Sequence, residues 1–121
     1  MDLQISNTPA GTIITLGGRF DAAAVAAARS SLERIPAEGR HDVYIDLSRV
    51  TFIDSSALGL CVFLFKRLAA ERRKLFFIEP IGQPRRLITL LRIDRVIEIR
   101  SYASGQGAAS FDRDLRGDTA A

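Results

Sequence analysis

The first twenty residues alternate apolar and polar side chains in two short runs. Residues 3–7 and 12–16 both follow a period of two, and Pro9-Ala10-Gly11 separates them. Such alternation is typical of strands with one buried face, and a Pro/Gly segment between two strands is typical of a turn. The pattern predicts an opening β-hairpin whose second strand ends at Gly17-Gly18.

Helical and strand patterns alternate in the rest of the chain. Residues 22–35 carry apolar side chains at helical spacing, with Asp21 as the predicted N-cap and Pro36 and Gly39 at the end. The further elements predicted are strand 42–47, helix 56–72, strand 75–78, helix 84–91 and strand 96–99. This β-α-β-α-β order favours a largely parallel sheet with right-handed crossovers, and the hairpin makes the sheet mixed.

Length and composition exclude several classes of protein. The 121 residues fit one domain with one core. The first ten residues lack the cationic start and apolar run of a secretory signal, and the longest apolar stretch, 58–65, is too short to span a bilayer. The single Cys61 excludes an internal disulfide and leaves no clustered thiols for a metal. We expect a cytoplasmic protein with no metal, no cofactor and no membrane insertion.

The formal net charge of +3 raises the question of nucleic-acid binding. Nucleic-acid binders usually combine a basic patch with a recognisable reading module, and the sequence contains none. We therefore interpret the basic residues as solvated surface and expect no nucleic-acid partner. The densest basic group comprises Lys66, Arg67, Arg72, Arg73 and Lys74.

The junction between the strand at 42–47 and the helix at 56–72 has two open interpretations. Asp54-Ser55-Ser56 precedes the apolar helix, and aspartate and serine at this position cap the first backbone N–H groups. The same helix end also tolerates an anionic group, such as a phosphate on serine, because its N–H groups carry partial positive charge. Spacing alone does not decide between capping and a phosphorylation site.

Resemblance to a known family adds to this interpretation. Asp46-Leu47-Ser48-Arg49-Val50-Thr51-Phe52-Ile53-Asp54-Ser55-Ser56-Ala57-Leu58-Gly59 resembles the signature of the STAS family, found in sulfate transporters and anti-sigma-factor antagonists. Gly17-Gly18-Arg19-Phe20-Asp21 is similar to the family's sequence before its first helix, and the stretch from Pro84 to Ile93 resembles a later family motif. The similarity extends over about residues 3–103.

The resemblance implies a STAS-like α/β fold: a mixed, mostly parallel sheet of four or five strands with helices packed largely on one face. Residues 1–103 form this single domain, and residues 104–121 are expected to be a tail, either a weak helix or disordered. The family's usual glycine after the two serines is Ala57 in this chain, a change that retains the helix but alters partner choice or kinase access if its methyl group lies at a contact surface.

The resemblance also implies a function. In antagonists of this type, the serine corresponding to Ser55 is phosphorylated by a serine kinase that is itself the anti-sigma factor, and a phosphatase reverses the change. The unmodified antagonist binds the kinase and frees the sigma factor. Ser56 is the alternative phosphorylation site. The competing hypothesis is a STAS subunit that docks on the ATPase of an ABC-type lipid transport complex. In either case we expect a binding protein, monomeric when free, and not an enzyme.

The helix after the serines has apolar residues on two sides. Leu58, Cys61 and Phe65 lie on the predicted core side, and Leu60 and Phe63 lie on the other. We expect the second side to be an exposed patch that a partner covers; the alternative is that the C-terminal segment covers it through Phe111 and Leu115. The predicted partner-binding residues are Asp21, Asp54, Ser56, Ala57, Leu60, Phe63 and Arg67.

Catalytic motifs are absent from the sequence. Ser55 has no Gly-x-Ser-x-Gly elbow, and the only histidine, His41, stands in a loop before a strand. The acidic pair that holds magnesium in receiver domains is missing, as is a phosphate-binding Gly-x-x-x-x-Gly-Lys loop. Cys61, on the predicted core side, is interpreted as a small hydrophobic residue.

Overall fold

The computed structural model describes residues 1–38 and 41–101. Along the chain the elements are strands β1 and β2, helices α1 and α2, strand β3, helix α3, strand β4, helix α4, a 3₁₀ turn and strand β5. Their bounds are, in order, Asp2–Thr8, Gly11–Phe20, Ala22–Glu33, Ile35–Glu38, Val43–Ile53, Ser55–Ala69, Leu75–Ile78, Gln83–Leu90, Ile93–Arg95 and Glu98–Arg100.

The five strands form one mixed sheet in the order β1-β2-β3-β4-β5. β1 and β2 pair antiparallel as a hairpin, and each later pair is parallel. The main core contains the buried side chains of α1, α3 and α4 together with one face of the sheet. On the other face, strand residues alone form a small second cluster, comprising Ile13, Tyr44, Phe76 and Ile78. The predicted fold class is therefore confirmed.

Strands β2 and β3 are longer than predicted. Gly17-Gly18 does not end β2, because the pairing with β3 shifts register twice there and then continues to Phe20, opposite Ile53. Gly18 has a φ of 86°, which a residue without a Cβ adopts at little cost. The two glycines thus mark irregularities within a strand, which alternation of apolar residues does not reveal. The extension brings both strands to the same edge of the sheet.

Helix α3 begins one residue earlier and ends three residues earlier than predicted. Arg72 has a left-handed backbone conformation with a φ of 61°, and the next N–H, that of Arg73, donates to the Leu68 carbonyl at 2.9 Å. This is the usual closure of a helix C-terminus, here without glycine.

Arg73 corrects the interpretation of the basic group as solvated surface. Its side chain is buried, and it donates to the carbonyl oxygens of His41 at 2.8 Å and Pro36 at 2.7 Å. It also contacts the Glu71 carboxylate at 3.0 Å. Arg73 therefore joins the end of α2 to the start of β3, whereas the other four members of the group are exposed.

Candidate partner-binding site at the start of helix α3

Two helices begin side by side at the carboxyl edge of the sheet. The parallel strands β2 and β3 end at Phe20 and Ile53, which are paired, and each strand is followed by one aspartate and then a helix. The Asp54 N–H donates to the Phe20 carbonyl at 3.4 Å. Because neighbouring parallel strands end together, the amino termini of α1 and α3 lie at one site.

The two aspartates cap both helices. Asp21 accepts from the Ala24 N–H at 3.1 Å, and Asp54 accepts from the Ala57 N–H at 3.0 Å. The second carboxylate oxygen of Asp54 accepts from the Ala22 N–H at 2.9 Å, so Asp54 caps its own helix and bridges to α1. Capping by Asp54 is thereby confirmed, and the bridge to α1 adds a contact that spacing did not predict.

Electrostatics at the site favour the ionised form of the Asp21 carboxyl. The Ala24 N–H bonded to Asp21 has the largest effect and lowers the pKa of that carboxyl; burial opposes it, and the Arg19 guanidinium, 3.5 Å away, adds to the lowering. Arg19 also lies over the Phe52 ring, 4.3 Å from its centroid. The site therefore contains the negative charge of Asp21 at the start of α1, beside the positive charge of Arg19.

Ser55 and Ser56 are the first two residues of α3, and both are exposed. The first N–H groups of a helix have no partner within the helix, and Asp54 occupies only the one at Ala57. The hydroxyl groups thus stand at the positive end of the helix dipole and within reach of another protein. Whether either serine is modified stays a prediction.

Two of the predicted contact residues are not at the surface. Leu60 is 2% exposed and Ala57 is 0% exposed, so the expectation of Leu60 in an exposed patch and of an Ala57 methyl at a contact surface is wrong. The reason is that α3 packs against α1 as well as the sheet, and its buried arc is wider than one helix stripe. Leu64 is buried for the same reason, while Val62 and Phe65 are only partly buried.

Phe63 and Arg67 do lie on the outer side of α3. Phe63 is 37% exposed, and the Arg67 guanidinium lies 5.7 Å from the centroid of its ring. The alternative, in which Phe111 and Leu115 cover this side of α3, concerns residues outside those that the structure describes. The surface around the serines is thus smaller and more polar than the sequence predicted.

Gln83 is a residue of the site that sequence reasoning missed. Its side-chain amide accepts from the Ile53 N–H at 2.9 Å and donates to the Ile53 carbonyl at 2.8 Å. Gln83 thereby joins the start of α4 to the last residue of β3, two residues before Ser55. No local pattern indicates a contact between residues thirty positions apart.

Gln83→Leu is expected to destabilise the fold by about 2–3 kcal/mol, because the N–H and carbonyl of the buried Ile53 lose their partner. Urea denaturation followed by circular dichroism measures the change. Gln4→Leu, at an exposed position of β1, is the matched control and should leave the midpoint nearly unchanged. Equal midpoints for the two variants would show that the Gln83 bonds contribute nothing.

The structure does not bring His41 and Ser55 together. His41 precedes β3 and Ser55 follows it, so the eleven residues of β3 separate them by roughly 30 Å. Cys61 is buried, and burial raises the pKa of its thiol to about 12, as expected of a small hydrophobic residue. Within residues 1–38 and 41–101, no group of three metal-ligating side chains is found.

None of the helices in the described part of the chain is both long and apolar enough to cross a membrane.

Known proteins share this architecture and its sequence pattern. The sequence profile of the STAS domain matches residues 2–104. The anti-sigma-B factor antagonist of Staphylococcus epidermidis is 33% identical over 73 residues, which cover 58% of this chain and 68% of that protein. The Staphylococcus aureus (strain NCTC 8325) protein of the same name is 29% identical over 80 residues, covering 64% and 74%.

Solved structures show the same fold at lower identity. An anti-sigma factor antagonist from Mycobacterium paratuberculosis has a TM-score of 0.75 at 19% identity and covers 93% of this chain and 94% of its own. The Bacillus cell fate determinant SpoIIAA in its phosphorylated form has a TM-score of 0.69 at 20% identity, covering 93% and 98%. With the profile matched over most of its length, this chain belongs to the STAS domain family.

Proposed function

We propose that this chain is an anti-sigma factor antagonist, a cytoplasmic binding protein that phosphorylation of Ser55 switches off. The unmodified chain, a monomer when free, binds a serine-kinase anti-sigma factor. Phosphorylation by that kinase releases it, and a serine phosphatase restores binding. The observation that carries the proposal is the exposed Ser55 hydroxyl at the first position of α3, in a site built from two helix ends.

The surroundings of Ser55 suit a switch that acts through charge. A phosphate adds about 1.5 to 2 negative charges and three acceptor oxygens. The helix end tolerates this group on the chain itself, because the first N–H groups of a helix lack partners within the helix and carry partial positive charge. The nearby carboxylates of Asp21 and Asp54 add to its negative potential, and Asp54 already occupies the Ala57 and Ala22 N–H groups. Much of the added charge therefore faces the partner.

The partner surface that we propose surrounds this serine. Ser56, Phe63 and Arg67 lie on the outer side of α3, and Asp21 lies at the start of α1. Phe63 offers an aromatic contact and Arg67 a cation, the residue types that dominate protein interfaces. The names of the Staphylococcus relatives and the solved phosphorylated form of SpoIIAA support the same function.

Phosphorylation is tested with the purified chain, ATP and each serine-kinase anti-sigma factor of the source organism. We expect the intact mass to increase by one phosphoryl group on the wild type and on Ser56→Ala, and not on Ser55→Ala. Circular dichroism of both alanine variants checks that they fold. No mass increase on the wild type, or an equal increase on Ser55→Ala, removes Ser55 from this role.

A further inference from the structure

The segment from Ile81 to Val96 exposes more apolar surface than the rest of the described chain. It contributes four of the seven large hydrophobic side chains that are exposed among the described residues, including Leu90, which is 75% exposed. The other three are Ile81, Leu91 and Val96. Of these side chains, Leu90 lines the same groove as Arg85 and Arg86, whereas Val96 lines a separate groove beside Leu75 and Phe76.

The same segment is strongly basic. It holds four arginines and a single acidic residue, Asp94, so its formal net charge equals the +3 of the whole chain. The remaining basic and acidic residues of the chain balance one another. The four arginines are Arg85, Arg86, Arg92 and Arg95.

Basic and apolar side chains lie together on one outer stripe of helix α4. Gly82, Arg85, Arg86, Thr89 and Leu90 line an open groove, and their spacing places them on one side of the helix. The opposite side packs inward: Pro84 and Ile88 are buried and Leu87 is partly buried in the core. The side chains of the stripe therefore take no part in the core.

The stripe begins beside the serine site. Gln83, next to Gly82, is bonded to both backbone groups of Ile53, and Ser55 follows two residues later. Helix α4 also follows β4 as α3 follows β3, so both helices start at the carboxyl edge of the same parallel pair. A protein that contacts Ser55 reaches the α4 stripe without leaving this edge.

We infer that the outer stripe of α4 is a second docking surface for the kinase proposed above, and that it binds an acidic segment carrying apolar side chains. The inference rests on the proposed function. Arginine favours protein contacts, since it is enriched at protein interfaces where lysine is depleted. An anionic membrane is the less suitable occupant, because amphipathic membrane helices bury their apolar face in the lipid, and the apolar side of α4, at Pro84 and Ile88, is already buried in the core.

The test is the double variant Arg85→Glu/Arg86→Glu in binding to the purified kinase, measured by surface plasmon resonance over a range of salt concentrations. We expect its association rate constant at low salt to fall about tenfold, with a weaker dependence on salt than the wild type shows. Arg72→Glu/Lys74→Glu is the matched control. It makes the same change in charge just before β4, at the opposite edge of the sheet, and should bind as the wild type does.

A second variant tests the apolar contact of the proposed docking surface, again by surface plasmon resonance. Leu90→Ala should raise the dissociation rate about threefold without a change in melting temperature, since Leu90 is mostly exposed.

Three results overturn the inference. If the kinase still binds Arg85→Glu/Arg86→Glu as tightly as the wild type, and Ser55 phosphorylation still releases it, the α4 surface is not used and the proposed function stands. If that variant loses only binding to phosphatidylcholine vesicles containing phosphatidylserine, the occupant is a membrane. If no kinase of the organism binds or phosphorylates the wild type, the proposed function fails and the inference fails with it.

Discussion

Replacing Ser55 with aspartate is expected to lower the affinity for the kinase by about 100-fold, because like charges placed together at an interface cost several kcal/mol. The new carboxylate joins those of Asp21 and Asp54 at one edge of the sheet. Asp21 stays ionised at neutral pH, since its pKa is lowered below the ordinary value by the Ala24 N–H. A partner surface that fits the uncharged serine side chain supplies no additional positive charge to balance the new carboxylate.

Titration calorimetry with the purified kinase measures this effect. Ser30→Asp is the matched control: it adds the same charge at an exposed position of α1, two turns from the site, and should bind as the wild type does. Binding of Ser55→Asp that equals the control would mean that charge at this position does not govern the interaction, whatever the phosphorylation state of Ser55.

The largest effect on stability is expected for Leu60→Asp. Leu60 is almost completely buried in the main core, and a carboxylate there loses its hydration without gaining a partner. We expect the free energy of unfolding to fall by about 4–5 kcal/mol, which is most of the stability of a marginally stable domain. Thermal melting by circular dichroism measures it, and a cooperative transition near that of the wild type would contradict the burial of Leu60.

Phe63→Asp, one turn away, separates burial from docking. Phe63 is partly exposed on the outer side of α3, so this variant should melt close to the wild type while losing at least tenfold in affinity for the kinase. Unfolding of Phe63→Asp would show instead that the ring supports the fold. Unchanged binding by a folded variant would remove Phe63 from the partner surface.

Much of the architecture was accessible from local patterns. Alternation of apolar residues located the opening hairpin, and helical spacing located α1 and α3, because burial on one face imposes those periods. Asp21 and Asp54 were predicted as caps for the same local reason: their carboxylates reach N–H groups only three residues ahead. The order of strands and helices then sufficed for a mostly parallel sheet.

The errors concern contacts between distant parts of the chain. Leu60 was assigned to the surface because a helix in a small domain was expected to bury one stripe, whereas α3 packs against both α1 and the sheet. Arg73 was counted with the solvated cations, but its partners belong to Pro36 and His41. Gln83 gave no signal at all. Each of these roles depends on the fold as a whole.

The carboxylate of Asp54 has a consequence for how a switch at this place can work. It holds an N–H of α3 with one oxygen and an N–H of α1 with the other, so the two helices share an anchor and neither can shift alone without breaking it. Modification of the neighbouring serine is therefore expected to leave the backbone where it is. The modified and unmodified domains would therefore present a partner with the same shape and a different electrostatic potential.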